Sequence, residues 1–150
     1  MMAFKTVPAS RKVQTFVHVI LHLIAVCLGI VGICAAFRYH DMINAEDMYS
    51  FHSWIGIGTI SLFCLQLLLG LSASIVRRST STEARARMVP WQVNGGRALL
   101  YMAVSAALTG FTEKSADLKH HFEARLINFT ALSILLFGIF VDLTVVLARM

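Results

Sequence analysis

Four long apolar runs alternate with polar segments along this chain, at about 15–37, 51–76, 91–111 and 126–147. Each approaches or exceeds the ~20 residues that a helix needs to cross ~30 Å of hydrocarbon. Lipid offers backbone amides no hydrogen-bonding partners, so each run is predicted as a helix rather than an irregular segment. The third run is the most polar, with Asn94 and Arg97 in its first turns. Arg97 is expected to snorkel towards the interface. Asp142 lies inside the fourth run, and the sequence names no partner for it. The connections are short enough for antiparallel neighbours, which predicts an all-α membrane protein built as an up-down bundle of four transmembrane helices. Small residues suit close helix approach, among them Gly29, Gly32, Gly56, Gly58, Gly95 and Gly96.

Composition agrees with that architecture. Of 150 residues, 57% are hydrophobic and only 14% charged, and the mean hydropathy is +0.72. A water-soluble domain of this size has no interior large enough for so much apolar surface, whereas a bilayer solvates it. The length suits one domain, 1–150. Cys27, Cys34 and Cys64 fall in apolar runs without a Cys-x-x-Cys pair, and are expected as buried thiols acting as small hydrophobes.

The net charge of +5 matters through its distribution. There is no long basic tract with interleaved aromatics, so nucleic acid is not an expected partner. Residues 1–14 are polar and basic and lack the apolar core of a signal peptide. Lys5, Arg11 and Lys12 precede the first run, and Arg77, Arg78, Arg85 and Arg87 join the second to the third. The other two connections are mixed or acidic. The positive-inside rule therefore predicts a multi-pass protein with both termini cytosolic, in an endomembrane, vacuolar or plasma membrane. Trp54 and Trp91 sit near run ends, where interfacial anchoring is expected.

Histidines supply the candidate chemistry. His18 lies about one turn inside the first run, and His52 begins the second, towards the opposite face. An ionisable ring in a bilayer span is a functional candidate, and imidazole is a common ligand of haem iron. A hydrogen-bonded interhelical histidine fits either position equally well. His22, four residues after His18, shares its helix face. It suits a packing or polar contact, a hydrogen bond to a neighbouring ligand, or substitution for that ligand. His40 stands at the outer end of the first run, and His120 and His121 in the last outer loop, where solvation is expected.

Several segments together resemble the eukaryotic cytochrome b561 family. They are Phe-Val-His-Val-Ile-Leu-His at 16–22, Tyr-Ser-Phe-His-Ser-Trp-Ile-Gly at 49–56 and Val-Pro-Trp-Gln-Val at 89–93. Leu-Thr-Gly-Phe-Thr-Glu-Lys at 108–114 and Glu-Ala-Arg-Leu-Ile-Asn-Phe at 123–129 extend the likeness over nearly the whole chain. The resemblance implies b-type haem, two per six-helix family member and each held by two histidines. It also implies a transmembrane oxidoreductase of the ascorbate ferrireductase type. Electrons would pass from cytosolic ascorbate to monodehydroascorbate or a ferric chelate on the other side. By resemblance His18 and His52 are iron ligands. His40 belongs near the outer substrate site, and Lys5, Lys12 and Arg85 near the cytosolic one.

Two departures shape that expectation. Gln92 stands where the family pattern has the histidine partner of His18, and glutamine binds iron weakly. The chain also begins at a point resembling the loop before the family's third helix. The helix that would bring a partner for His52 is therefore expected to be absent. With one histidine per site, the chain is expected to keep one haem, two or none. The alternative is a redox-silent bundle that pairs with full-length relatives or with itself.

Overall fold

The computed structural model describes residues 10–76, 82–118 and 121–147, and their side chains except at 11–12, 73–76, 82–89 and 117. Four helices follow in order: α1 (Arg11–Ile43), α2 (Phe51–Val76), α3 (Thr82–Asp117) and α4 (His121–Leu147). No strand occurs among the described residues. The apolar runs located every helix. The observed α2 matches its expected bounds, and the other three extend beyond theirs, because polar residues continue the helix past the apolar stretch.

Local chemistry sets the ends. Asn44 adopts the left-handed conformation, φ 50° and ψ 39°, which asparagine tolerates better than most residues. It closes α1 in a Schellman arrangement, with Ala45 N–H donating to the His40 carbonyl at 3.0 Å and Asn44 N–H to that of Asp41 at 3.4 Å. Ser50 opens α2 as its N-cap: its Oγ accepts from Ser53 N–H at 3.2 Å and lies 3.1 Å from Ser53 Oγ. The two serines around His52 therefore build the first turn of α2 and hold that histidine at its second position. In α3, Pro90 stands inside the helix, where it leaves one carbonyl without its usual amide partner.

The helices group into two compact units. One holds the described residues up to 47 with 60–95, and the other holds 48–59 with those from 96 onward. In the first unit α1 runs antiparallel to α2, with Ile60 packed on Gly29 and Phe63 beside His22. The α2 and α3 segments interlock by exchange: the Gln92 amide lies over Gly70 and the Gln66 amide over Gly95. Gln66 Nε2 also donates to the Gln92 carbonyl at 3.0 Å. In the second unit α3 meets α2 through Met102 on Gly58, and α4 through Val104 on Gly138.

Little of this surface faces inward. Among the described residues Val93 and Leu99 are the buried hydrophobic ones, while Leu28 is 67% exposed, Phe129 70% and Trp91 83%. An exterior this apolar needs lipid around it. Among the described residues, three helices are long and apolar enough to cross a membrane, over Val13–Ile43, Phe51–Ser72 and His121–Leu147. α3, expected as a fourth span over 91–111, is not among them. Its length is ample, and Asn94, Arg97 and the charges at both ends dilute its hydrophobicity. The cysteines also differ from expectation. Cys27 and Cys34 are exposed on α1 and Cys64 is intermediate, all with free thiols, because the helices bury so little of their circumference.

Candidate functional site

His52 is the most firmly placed of the candidate ligands. Its Nδ1 lies 2.8 Å from the Ala106 carbonyl oxygen on α3. A carbonyl only accepts, so Nδ1 carries the proton and the neutral ring keeps its lone pair on Nε2. Metal-ligating histidines are commonly prepared in this way, with the far nitrogen tied to a backbone oxygen. Two α3 residues make room for the ring. A Cβ at Gly110 would stand 2.7 Å from His52 Cε1 and 3.0 Å from Nδ1. Thr109 Oγ1 lies 3.5 Å from Nδ1 and donates to the Ala106 and Ser105 carbonyls at 3.0 and 2.9 Å. The glycine explains part of the Leu-Thr-Gly-Phe segment: it is where α3 lets an imidazole lie flat. Gly110→Val is expected to push the ring off Ala106 and release its tautomer. The imidazole proton signals of the variant, observed by NMR, would then show exchange between both nitrogens instead of one fixed N–H.

His18 and His22 form a second cluster, in the other unit. His22 Nδ1–H donates to the His18 carbonyl at 2.8 Å, one turn back. The two rings lie 3.9 Å apart at a 52° tilt, and His22 stacks on Phe63 at 5.2 Å with planes 9° apart. Among the expected roles for His22, a polar contact and packing are what the geometry provides. Its Nε2 remains open, since a lone pair in the ring plane is unaffected by stacking on its face. Gln92 is turned to other work: its amide packs over Gly70, and no hydrogen bond joins it to His18 among the described residues.

His40 pairs with Asp47, Nδ1 to Oδ1 at 3.0 Å, across the turn that closes α1. His121 begins α4 and is exposed, as expected of a loop histidine, whereas His120 lies outside the described residues. Lys5 also lies outside them, as do the side chains of Lys12 and Arg85, whose backbones belong to α1 and α3.

Arg97 has a partner: its Nε and a terminal nitrogen grip the two Asp142 oxygens at 2.6 and 3.1 Å. Tyr101 Oη lies 3.5 Å from the same guanidinium. The side chains are 32% and 15% exposed. This two-pronged contact is the strong form of an Arg–carboxylate bond, and it supplies the partner for Asp142 that the sequence did not name. The clue lay in the antiparallel order of α3 and α4, which brings residues with numbers summing to about 240 side by side, as Val104 and Gly138 also are.

Comparison with known proteins follows the same lines. Relatives include transmembrane ascorbate ferrireductase 1 of Arabidopsis thaliana, 41% identical over 148 residues, which are 95% of this chain and 62% of the relative. A probable ascorbate-specific transmembrane electron transporter 1 of Oryza sativa subsp. japonica is 39% identical, covering 91% of this chain and 61% of its own length. A plasma membrane ascorbate-dependent reductase of Xenopus laevis is 38% identical over 70% of this chain and 37% of the relative. The chain thus spans a little over three fifths of the plant relatives it matches. Residues 1–117 match the family model for eukaryotic cytochrome b561, and with these identities over most of the chain, the protein belongs to the eukaryotic cytochrome b561 family.

Proposed function

We propose that this chain takes part in transmembrane electron transfer through b-type haem, with ascorbate as donor and monodehydroascorbate or a ferric chelate as acceptor. The observation that carries this reading is the His52–Ala106 hydrogen bond, which fixes the tautomer needed for an iron ligand. The names of the relatives supply the donor and the direction of the chemistry. In this reading all four helices span the bilayer, both termini are cytosolic, and α3 crosses with its arginine neutralised by Asp142.

The residues present suit the cofactor unequally. At His52 the donor is prepared, with Nδ1–H tied down and Gly110 leaving space for the ring. At His18 a nitrogen donor is present, but the position expected to oppose it carries Gln92, whose amide lies over Gly70 of α2. Haem bound at such nitrogens supplies a one-electron ferric–ferrous couple. The chain's own part is to hold the nitrogens, exclude water with apolar helix faces, and gather the anionic donor. Lys5, Lys12 and Arg85 serve the last task as cations that raise the local concentration of ascorbate. On the opposite face His40, steadied by Asp47, is the proposed contact for the acceptor.

Vesicles test this directly. Haem-loaded protein is reconstituted with ascorbate trapped inside, and a ferric chelate is added outside. Ferrous chelate should form outside faster than in protein-free vesicles. A rate equal to the protein-free control overturns the proposal and favours the redox-silent bundle.

A further inference from the structure

From the geometry of the His18–His22 pair we infer that α1 carries a two-imidazole site for a bare divalent late-transition ion, with Cu²⁺ the tightest. The inference goes beyond the haem reading and does not require it. Both rings stand on one face of a single helix, one turn apart, with centroids 3.9 Å apart. The His22 Nδ1–H bond to the His18 carbonyl leaves Nε2 as that ring's metal-binding nitrogen. Neither ring nitrogen of His18 has a hydrogen-bonding partner among the described residues, so binding there breaks no existing bond.

The arrangement selects among irons and ions. Two nitrogens from neighbouring turns of one helix reach a metal from the same side. Haem leaves open only the two positions on opposite faces of its plane, so the pair cannot serve one haem iron together. A bare ion accepts neighbouring ligands readily. Imidazole bonds to such an ion are ~2.0–2.1 Å long, so the two tilted rings turn their free nitrogens towards one point to take it up. Phe63 stacks against the face of His22 and not on its Nε2 lone pair, which lies in the ring plane. Among the described residues no cluster of three or more His, Cys, Asp or Glu side chains is present. Water therefore completes the coordination. Two imidazoles plus water suit a tetragonal site, and the affinity order of divalent first-row ions peaks at Cu²⁺. The bound ion takes the same His18 ring that a haem on α1 would use, so copper and haem exclude one another there.

The test uses the full chain in detergent, free of haem, titrated with Cu²⁺ alone and followed by electron paramagnetic resonance. One equivalent should bind with nitrogen splitting from two imidazoles. His18→Ala and His22→Ala should each weaken that binding at least tenfold, while His121→Ala leaves it unchanged. A spectrum with one imidazole or none overturns the inference without need of any variant. Equal binding by wild type, His18→Ala and His22→Ala overturns it as well, since the copper would then sit elsewhere. Vesicle electron transfer is a separate readout, so failure here leaves the haem reading standing.

Discussion

Replacing Asp142 alone by leucine should remove most of the folded protein from the membrane, with a several-fold drop in the amount recovered as a monodisperse detergent-solubilised species. The change strands the Arg97 guanidinium, now held by two bonds at 2.6 and 3.1 Å, in an apolar setting. If α3 crosses the bilayer as proposed, an unpaired ion there is costly, and the cost falls on the least apolar of the four helices. Arg97→Met alone should do comparable harm by stranding the carboxylate. The informative variant is the double one. Replacing both partners with apolar residues removes the two charges together, which is commonly neutral or stabilising. Arg97→Met with Asp142→Leu should therefore recover much of the lost protein. Additive losses in the double variant would show that the residues act separately, and that α3 is not held by their pairing.

The second large effect concerns His52. His52→Ala should lower the haem retained per chain at least ~10-fold, judged against the effect of losing a residue that merely orients a metal ligand. His52→Gln is a sharper control, because its side chain can still donate to the Ala106 carbonyl while offering iron only a weak ligand. It should lose haem as fully as the alanine variant and keep the helix contact. Retention of haem by both variants would mean that the His52 ring is a structural tie between α2 and α3.

Much of the fold was legible because hydrophobic length is a direct physical requirement of a membrane span. The runs located four helices, and α2 needed no adjustment, since Ser50 and Ser53 stand where the apolar stretch starts. Both ends of α1 and α3, and the start of α4, lie outside the apolar runs for one reason. Hydropathy marks where lipid begins, whereas a helix continues until a feature such as Asn44 stops it. Pairing of residues was harder to read. Arg97 and Asp142 stand 45 positions apart, and only the antiparallel register of α3 and α4 makes them neighbours. The His22 bond to the His18 carbonyl was available from helical spacing alone. The fixed proton on His52 was not, because its acceptor is a backbone oxygen, and every residue has one. The two glutamine–glycine contacts were hidden similarly: Gly95 read as an ordinary packing glycine, and nothing in the sequence singled out Gly70 as the place where the Gln92 amide lies.

The proposed electron transfer depends on the imidazole at position 52 holding a haem iron. The most direct measurement is the absorption spectrum and iron content of the purified chain after saturation with haem, recorded oxidised and then with ascorbate. The prediction is bound haem that ascorbate reduces, and that His52→Ala largely abolishes. Well-folded protein that retains no haem under these conditions would contradict it.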